Sequence, residues 1–381
     1  METTIGSNAF EECAAAAGGI INPAVQDWKD RGGKVVGYFC SHVPTEVLMA
    51  AGILPFRMRG TGSEGTESAD AFFTSINCSF PRHTFNQALK GEYDFLDGLV
   101  CISSCDHIRR VYDNWKRNLA TPFVKIMSLP KKVGDAQVEW YRDEIGILRD
   151  DLQKHFDVQI SDERLQEAIK LCNETRRLQR KLYALRKGAQ PPITGAETLA
   201  VMVAGTAMPA ERYNALLSSL LEDLGHSNGK AGYRARLMIV GSELDDPAYV
   251  EVIEEQGGLV VTDSICYGTR TMWVDVDEAA ADPAEALARY YIQERPSCPR
   301  MNGDQARRAA FLQDLIREFQ VDGVIGERML FCDFWCAEHY MNKLDLKEAG
   351  VPFLQLDREY ITSGKGQLRT RIQAFLETMG K

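Results

Sequence analysis

The order strand, helix, glycine, strand occurs twice in this chain, once from Lys34 and again from Ala235, and it limits the fold more than any other feature. In the first occurrence Lys34–Cys40 (KVVGYFC) reads as a buried strand, Pro44–Ala51 as the helix after it, and Gly52–Met58 as the next strand. Further strands are expected at Asp97–Ser103 and Pro122–Met127. In the second occurrence Arg236–Gly241 is a strand, Asp246–Gln256 a helix, Gly257-Gly258 a stop and Leu259–Asp263 a strand. A sharper echo lies inside the repeat. Asp97-Gly98-Leu99-Val100 leads to Cys105-Asp106, and Asp322-Gly323-Val324-Ile325 leads to Cys332-Asp333. Apolar strands alternating with helices build parallel sheets covered on both faces. The expected fold class is therefore α/β: two doubly wound, flavodoxin-like parallel-sheet lobes with an intervening helical section.

The expected boundaries are 1–135 for the N-terminal lobe, 136–231 for the helical section and 232–381 for the C-terminal lobe. In the middle section Leu148, Leu152, Phe156, Leu165, Ile169 and Leu171 recur at helical spacing, with a turn at Pro191-Pro192. The 381 residues are enough for substantial cores, and 45% hydrophobic with 26% charged is the balance of a soluble globular protein. A net charge of −10 without a Lys/Arg block argues against a nucleic-acid or anionic-membrane binder, while leaving room for a local basic pocket. No apolar stretch approaches the ~20 residues that span a bilayer. The opening Met1-Glu2-Thr3-Thr4 lacks the basic and apolar blocks of a secretory signal, which predicts a cytoplasmic location. Ten cysteines there read as buried thiols or metal ligands rather than disulfides.

Cys40, Cys105, Cys266 and Cys332 all follow expected strands. Ligands gather outside the C-terminal ends of strands in open parallel sheets, so lobes that face each other would bring these thiols together. Cys13, in a segment expected at the surface, and Cys172, in the helical section, read as packing thiols. The pairs Cys101/Cys105 and Cys332/Cys336 are each four residues apart, but no compact four-ligand zinc framework accompanies them. Phosphate loops are absent. Gly225–Lys230 has the wrong spacing, Ser363-Gly364-Lys365 lacks the upstream glycine frame, and no GxGxxG follows a strand.

Lys34–Arg59, Asn77–Arg82 (NCSFPR), Asp97–Arg110 (DGLVCISSCDHIRR), Arg236–Asp246 and Asp263–Arg270 (DSICYGTR) resemble, in order, the benzoyl-CoA reductase/2-hydroxyacyl-CoA dehydratase family. The likeness continues through Arg295–Cys298 (RPSC), Asp322–Asp333, Gly350–Asp357 and Gly366–Glu377, nearly the whole chain. The resemblance implies an iron–sulfur cluster, [4Fe-4S] or a larger double cubane, with Cys78, Cys105 and Cys332 as its ligands. Cys266 and Cys298 are reserve ligands for the larger cluster, and Cys101 and Cys336 are neighbours of aligned positions. No catalytic residue is assigned. His42, His83 and His107, close in sequence to Cys40, Cys78 and Cys105, are candidate proton donors. Glu46 reads as a helix-start acid favoured by the dipole. Arg109, Arg110, Lys116 and Arg117 read as solvated helix charges, with coenzyme A phosphates as their alternative partner.

The activity implied first is that of an iron–sulfur core subunit of an ATP-dependent benzoyl-CoA reductase, passing single electrons to an aromatic acyl-CoA. The surroundings Cys78-Ser79-Phe80-Pro81-Arg82 resemble the reductases more than the Cys-Pro-Leu-Ile-Lys pattern of many dehydratase subunits. The partners implied are a homologous core subunit, an ATP-hydrolysing iron–sulfur activator, ferredoxin as electron source and the acyl-CoA substrate. The alternatives are a 2-hydroxyacyl-CoA dehydratase subunit, a double-cubane reductase of small molecules and, from another class, a non-catalytic two-lobed binding protein.

Overall fold

The computed structural model describes residues 7–361 and 364–381. Its first sheet contains β1 (Lys34–Tyr38), β2 (Ile53–Arg57), β3 (Gly98–Ile102) and β4 (Phe123–Met127), all parallel, in the order β2-β1-β3-β4. The second contains β5 (Ala235–Gly241), β6 (Gly258–Ser264), β7 (Gly323–Met329) and β8 (Phe353–Arg358), again parallel, in the order β6-β5-β7-β8. Replacing each strand of the first sheet by its counterpart gives the second, so the expected pair of similar α/β lobes is present. Every residue of β3, β5 and β6 is buried, which is what helices on both faces of a parallel sheet produce.

The two glycine stops do the same work. Gly52 (φ 74°) follows the helix Thr45–Ala50, and Gly257 (φ 94°) follows the helix Pro247–Glu254; the left-handed turn costs a glycine little. The Asp-Gly echo is also structural. Asp97 accepts from the Val35 amide at 2.9 Å while its own amide donates to the Val35 carbonyl at 2.8 Å. Asp322 makes the same two bonds with Arg236, both at 2.8 Å. Each aspartate thereby clamps the start of its central strand.

The section between the sheets carries the helices Asp135–Phe156, Asp162–Ala184, Gly195–Ala204 and Ala210–Gly225. Gly195–Ala204 is buried along its whole length and opens on a capping box formed by Thr194 and Glu197. Helix Asn8–Gly18 packs on it, which puts Cys13 at 0% exposure in a helical core rather than at the surface. The lobes meet through polar contacts as well. Gly60 donates to the Tyr360 hydroxyl at 2.9 Å, which donates onward to Asp245 at 2.6 Å, and the Tyr360 amide donates to Ser79 Oγ at 2.8 Å. Among the described residues no helix is long and apolar enough to cross a membrane.

Candidate functional site

A cavity of about 290 Å³ lies between the C-terminal ends of the two sheets and is lined by Cys40, Cys78, Cys105, Cys266 and Cys332. Cys298 joins them through Arg300, a lining residue whose Nη1 donates to Cys298 Sγ at 3.1 Å. The three cysteines expected as ligands, Cys78, Cys105 and Cys332, thus share one interlobe space with Cys40 and Cys266, and Cys298 lies against its lining residue Arg300.

Local structure explains how they reach it. Cys78, Cys105 and Cys332 are the N-cap residues of the helices Ser79–Leu89, Asp106–Asn118 and Asp333–Glu348. None of the three side chains caps its own helix, so the thiols are free of that task. Three helix N-termini therefore face the cavity, and their unpaired N–H groups favour negative charge there. Cys40 (φ 76°) and Phe331 (φ 65°), the residue before Cys332, hold left-handed backbone without being glycine, at about 1–3 kcal/mol each. Strain of that size is retained next to two of the thiols.

The thiols act on one another's charge across the cavity. Burial raises the Cys78 thiol well above its usual range, and its neighbours Cys332 and Cys105 add to the rise. Burial also raises Cys40; Arg300 opposes it, and the neighbouring thiols there are Cys266 and Cys298. Cys332 is pushed up to about 11 by burial, against Arg300, with Cys105 and Cys298 adding to the rise. Cys298 goes the other way, because Arg300 and Arg270 beside it outweigh burial and hold it below its usual range. Arg270 also donates to Cys266 Sγ at 3.0 Å. Two guanidinium groups thus serve thiols buried in the cavity wall.

A donor set of soft thiolates suits zinc or an iron–sulfur cluster. Among the described residues no three His, Cys, Asp or Glu side chains gather round one point as a single ion requires. A cubane carries its irons at separate corners, so its thiolates surround a cavity rather than meet at one point. The buried Ser104 Oγ and Arg300 Nε, both on lining residues, have no hydrogen-bond partner among the described residues and suit an acidic group in the space between. The residues fit a cluster better than a single zinc.

The other expected residues divide. His42 is 1% exposed, 3.5 Å from Cys40 Sγ through Nδ1, and burial together with Arg295 and Arg300 keeps it well below its usual range. His107 lines the cavity and bridges Asn77 Oδ1 at 2.8 Å and the Phe331 carbonyl at 3.0 Å, bracing the approaches to Cys78 and Cys332. His83 instead hydrogen-bonds Ser63 Oγ at 2.9 Å away from the thiols. Cys101 is wholly buried in β3, Cys336 is exposed, and Cys172 contacts Met49. Arg109 stands at the cavity rim, while Arg110, Lys116 and Arg117 are exposed on the same helix. Glu46 lies in the first turn of its helix as expected and is also 0% exposed, ion-paired with Arg176 and bonded by Tyr291 at 2.8 Å. Lys131, whose Nζ donates to the Ser104 carbonyl at 3.0 Å, Arg270 and Arg300 were invisible as site residues; only the closeness of Arg300 to Cys298 gave a signal.

The sequence profile described as "2-hydroxyglutaryl-CoA dehydratase, D-component" matches residues 40–379. The chain belongs to the 2-hydroxyglutaryl-CoA dehydratase D-component family. The match to this family contains the five thiols that line the cavity and Cys298 beside them. The chain is 30% identical over 339 residues to a benzoyl-CoA reductase subunit of Thauera aromatica, covering 87% of each. It is 29% identical over 368 residues to the putative dehydratase subunit YjiM of Escherichia coli, covering 93% of this chain and 94% of that one. Over 349 residues it is 25% identical to the (R)-phenyllactyl-CoA dehydratase beta subunit of Clostridium sporogenes, covering 91% and 92%. The family is thus one of enzymes, and these relatives are subunits of larger assemblies.

Proposed function

We propose that this chain is the catalytic core of an ATP-dependent, low-potential iron–sulfur reductase, and that its cluster is a double cubane acting on a small molecule. The observation that carries this reading is the number of thiols: Cys40, Cys78, Cys105, Cys266 and Cys332 line one cavity and Cys298 is bonded to its lining residue Arg300. On this reading Cys78, Cys105 and Cys332 form one set, holding one cubane, and Cys40, Cys266 and Cys298 a second set, holding the other. One cubane takes four thiolates at most, which leaves at least two of the six for a second cubane. Bound, such a cluster supplies single electrons at potentials that reach about −700 mV in proteins.

The chain's own residues do the rest. Arg300 and Arg270 offset the negative charge of the thiolates, as their bonds to Cys298 and Cys266 indicate. The three helix N-termini stabilise the same charge without moving. His42, kept below its usual range by burial, Arg295 and Arg300, lies with Nδ1 3.5 Å from Cys40 Sγ and helps to orient that thiol. With no phosphate loop, the chain takes its electrons from an ATP-hydrolysing iron–sulfur activator charged by ferredoxin, and works beside a homologous subunit.

A second reading is supported by the 30% identical relative, a benzoyl-CoA reductase subunit. Here one [4Fe-4S] cluster sits on Cys78, Cys105 and Cys332, and the substrate is an aromatic acyl-CoA. Iron and acid-labile sulfide measured on anaerobically purified protein separate the two, at about eight irons per chain against about four. Turnover of benzoyl-CoA by the reconstituted assembly supports the second reading. A colourless protein without iron or sulfide sinks both.

A further inference from the structure

A second cavity of about 140 Å³ lies behind the thiolate cavity, and Cys266 is the one residue that lines both among the described residues. Its walls carry Arg57, Arg176 and Arg295 and, among the described residues, no aspartate or glutamate. Two of these cations are matched. Arg57 pairs with Glu243 at 3.1 Å, and Arg176 pairs with Glu46, which Tyr291 also engages.

Arg295 is different. It is 4% exposed, yet has no carboxylate within ion-pair distance among the described residues. Its Nη1 donates to the Ser41 carbonyl at 2.7 Å, and its Nε has no partner among the described residues. The guanidinium lies 4.7 Å from the centroid of the Tyr291 ring, which attracts a cation without neutralising it. Buried charges are ordinarily paired, so an unmatched cation in a cavity wall marks the place of an absent anion. The backbone supplies an independent sign. Residues Tyr290–Glu294, immediately before Arg295, form a π-helical turn, a costly geometry found mostly at functional sites, and it sets Tyr290, Tyr291 and Arg295 into the same wall. Tyr38 faces the cavity too. Its phenol hydroxyl can donate to an anion.

We infer that this cavity is a binding site for a small monoanion of the formate or nitrate class, held by Arg295 and Tyr38. The volume is room for several waters and so for a molecule of a few heavy atoms, not for coenzyme A or its phosphates. The site rests on Arg295 and the cavity, not on the reductase reading.

The test uses the full chain with whatever iron it carries when purified anaerobically. Crystals soaked in bromide are expected to show an anomalous peak beside Arg295, and formate is expected to raise the melting temperature of the wild type in a saturable way. Arg295→Gln should weaken formate binding about 10- to 100-fold, Arg295→Lys should restore most of it, and Tyr38→Phe should weaken it about three- to tenfold. Iron content should match the wild type in all three. Formate affinity unchanged in Arg295→Gln, or no bromide in the cavity, overturns the inference. Should Arg295→Gln fail to fold, equal formate affinity in the wild type and Tyr38→Phe overturns it as well. Protein that lacks iron but still binds formate at Arg295 refutes the reductase reading and leaves the anion site standing.

Discussion

Replacing one thiol from each set by alanine tests whether the cavity holds two cubanes. The perturbation is Cys332→Ala for the first set and Cys298→Ala for the second, with Cys172→Ala as a thiol outside the cavity and Cys336→Ala as a neighbour of Cys332 exposed to solvent. If each set holds one cubane of four irons, each ligand variant should fall from about eight irons per chain to about four or fewer, because alanine offers no donor. The controls should stay at about eight. Stability should not follow iron: each change removes one sulfur from a small side chain, a packing loss of about 1 kcal/mol. Cys332 is 8% and Cys298 6% exposed, so the packing cost is similar at both. Iron is measured colorimetrically on anaerobic protein, and the remaining cluster by electron paramagnetic resonance after reduction. A Cys298→Ala protein with full iron, beside a Cys332→Ala protein with none, refutes the two-cubane assignment and returns the site to one cluster on Cys78, Cys105 and Cys332. Loss of iron in Cys336→Ala would mean that the wrong member of the Cys332/Cys336 pair had been chosen.

Three further outcomes follow from buried charge. Glu46→Gln leaves Arg176 buried without its carboxylate and should lower unfolding stability by about 3–5 kcal/mol; an unchanged denaturant midpoint contradicts this. Burial would raise Asp97, but Lys29, the Val35 amide and Lys34 outweigh it and hold the carboxyl below 3.8. Its contribution to stability is therefore full above that value and is lost as pH falls through the lower folded one, so Asp97→Asn should flatten the acid limb of stability against pH. His83 and His339 are both lowered from 6.5 to about 4, in each case chiefly by burial, so the unfolded chain takes up protons first as pH falls. Stability should decline from 6.5 towards 4 on that account, and His339→Phe should make the decline shallower; a slope unchanged in the variant speaks against it.

The strands were legible because they are buried on both faces and so read as unbroken apolar runs: Lys34–Tyr38 and Ala235–Gly241 fall within two residues of expectation. The stops at Gly52 and Gly257 were legible because a left-handed helix end favours one residue type. The Asp-Gly echo was visible, but its meaning was not. It reads as a pointer to the cysteines that follow, whereas each aspartate is a strand clamp and the N-caps that place Cys105 and Cys332 lie several residues on. Cys13 was misplaced because Ala14–Ala17 beside it looks like exposed helix former, while small residues also allow the close approach of helix Gly195–Ala204. Glu46 sits in the first turn of its helix as expected, but its pairing with Arg176 had no signal, because Arg176 lies in another section of the chain. The left-handed backbone at Cys40 has no sequence signal at all, since cysteine does not favour it.

The division of the thiols also bears on what holds the site together. Each set takes members from both halves of the chain: Cys78 and Cys105 with Cys332, and Cys40 with Cys266 and Cys298. A cluster on either set would therefore staple one lobe to the other. In small metal domains such a staple supplies the folding energy outright, and the apo chain is unfolded. This chain has less need of it. Arg57 donates to the Cys266 carbonyl at 2.8 Å and to Glu243, Arg295 donates to the Ser41 carbonyl at 2.7 Å, and Tyr360 joins Gly60, Ser79 and Asp245, all without metal. Hydrophobic residues from both sheets also belong to one core, with Phe39, Phe56 and Leu99 alongside Met238, Val261 and Val324. These contacts join the lobes through the chain's own residues, and Arg300 lowers the pKa of both Cys298 and Cys332. Loss of a ligand should then empty a cubane without unfolding the chain, which is why iron and stability separate in the cysteine variants.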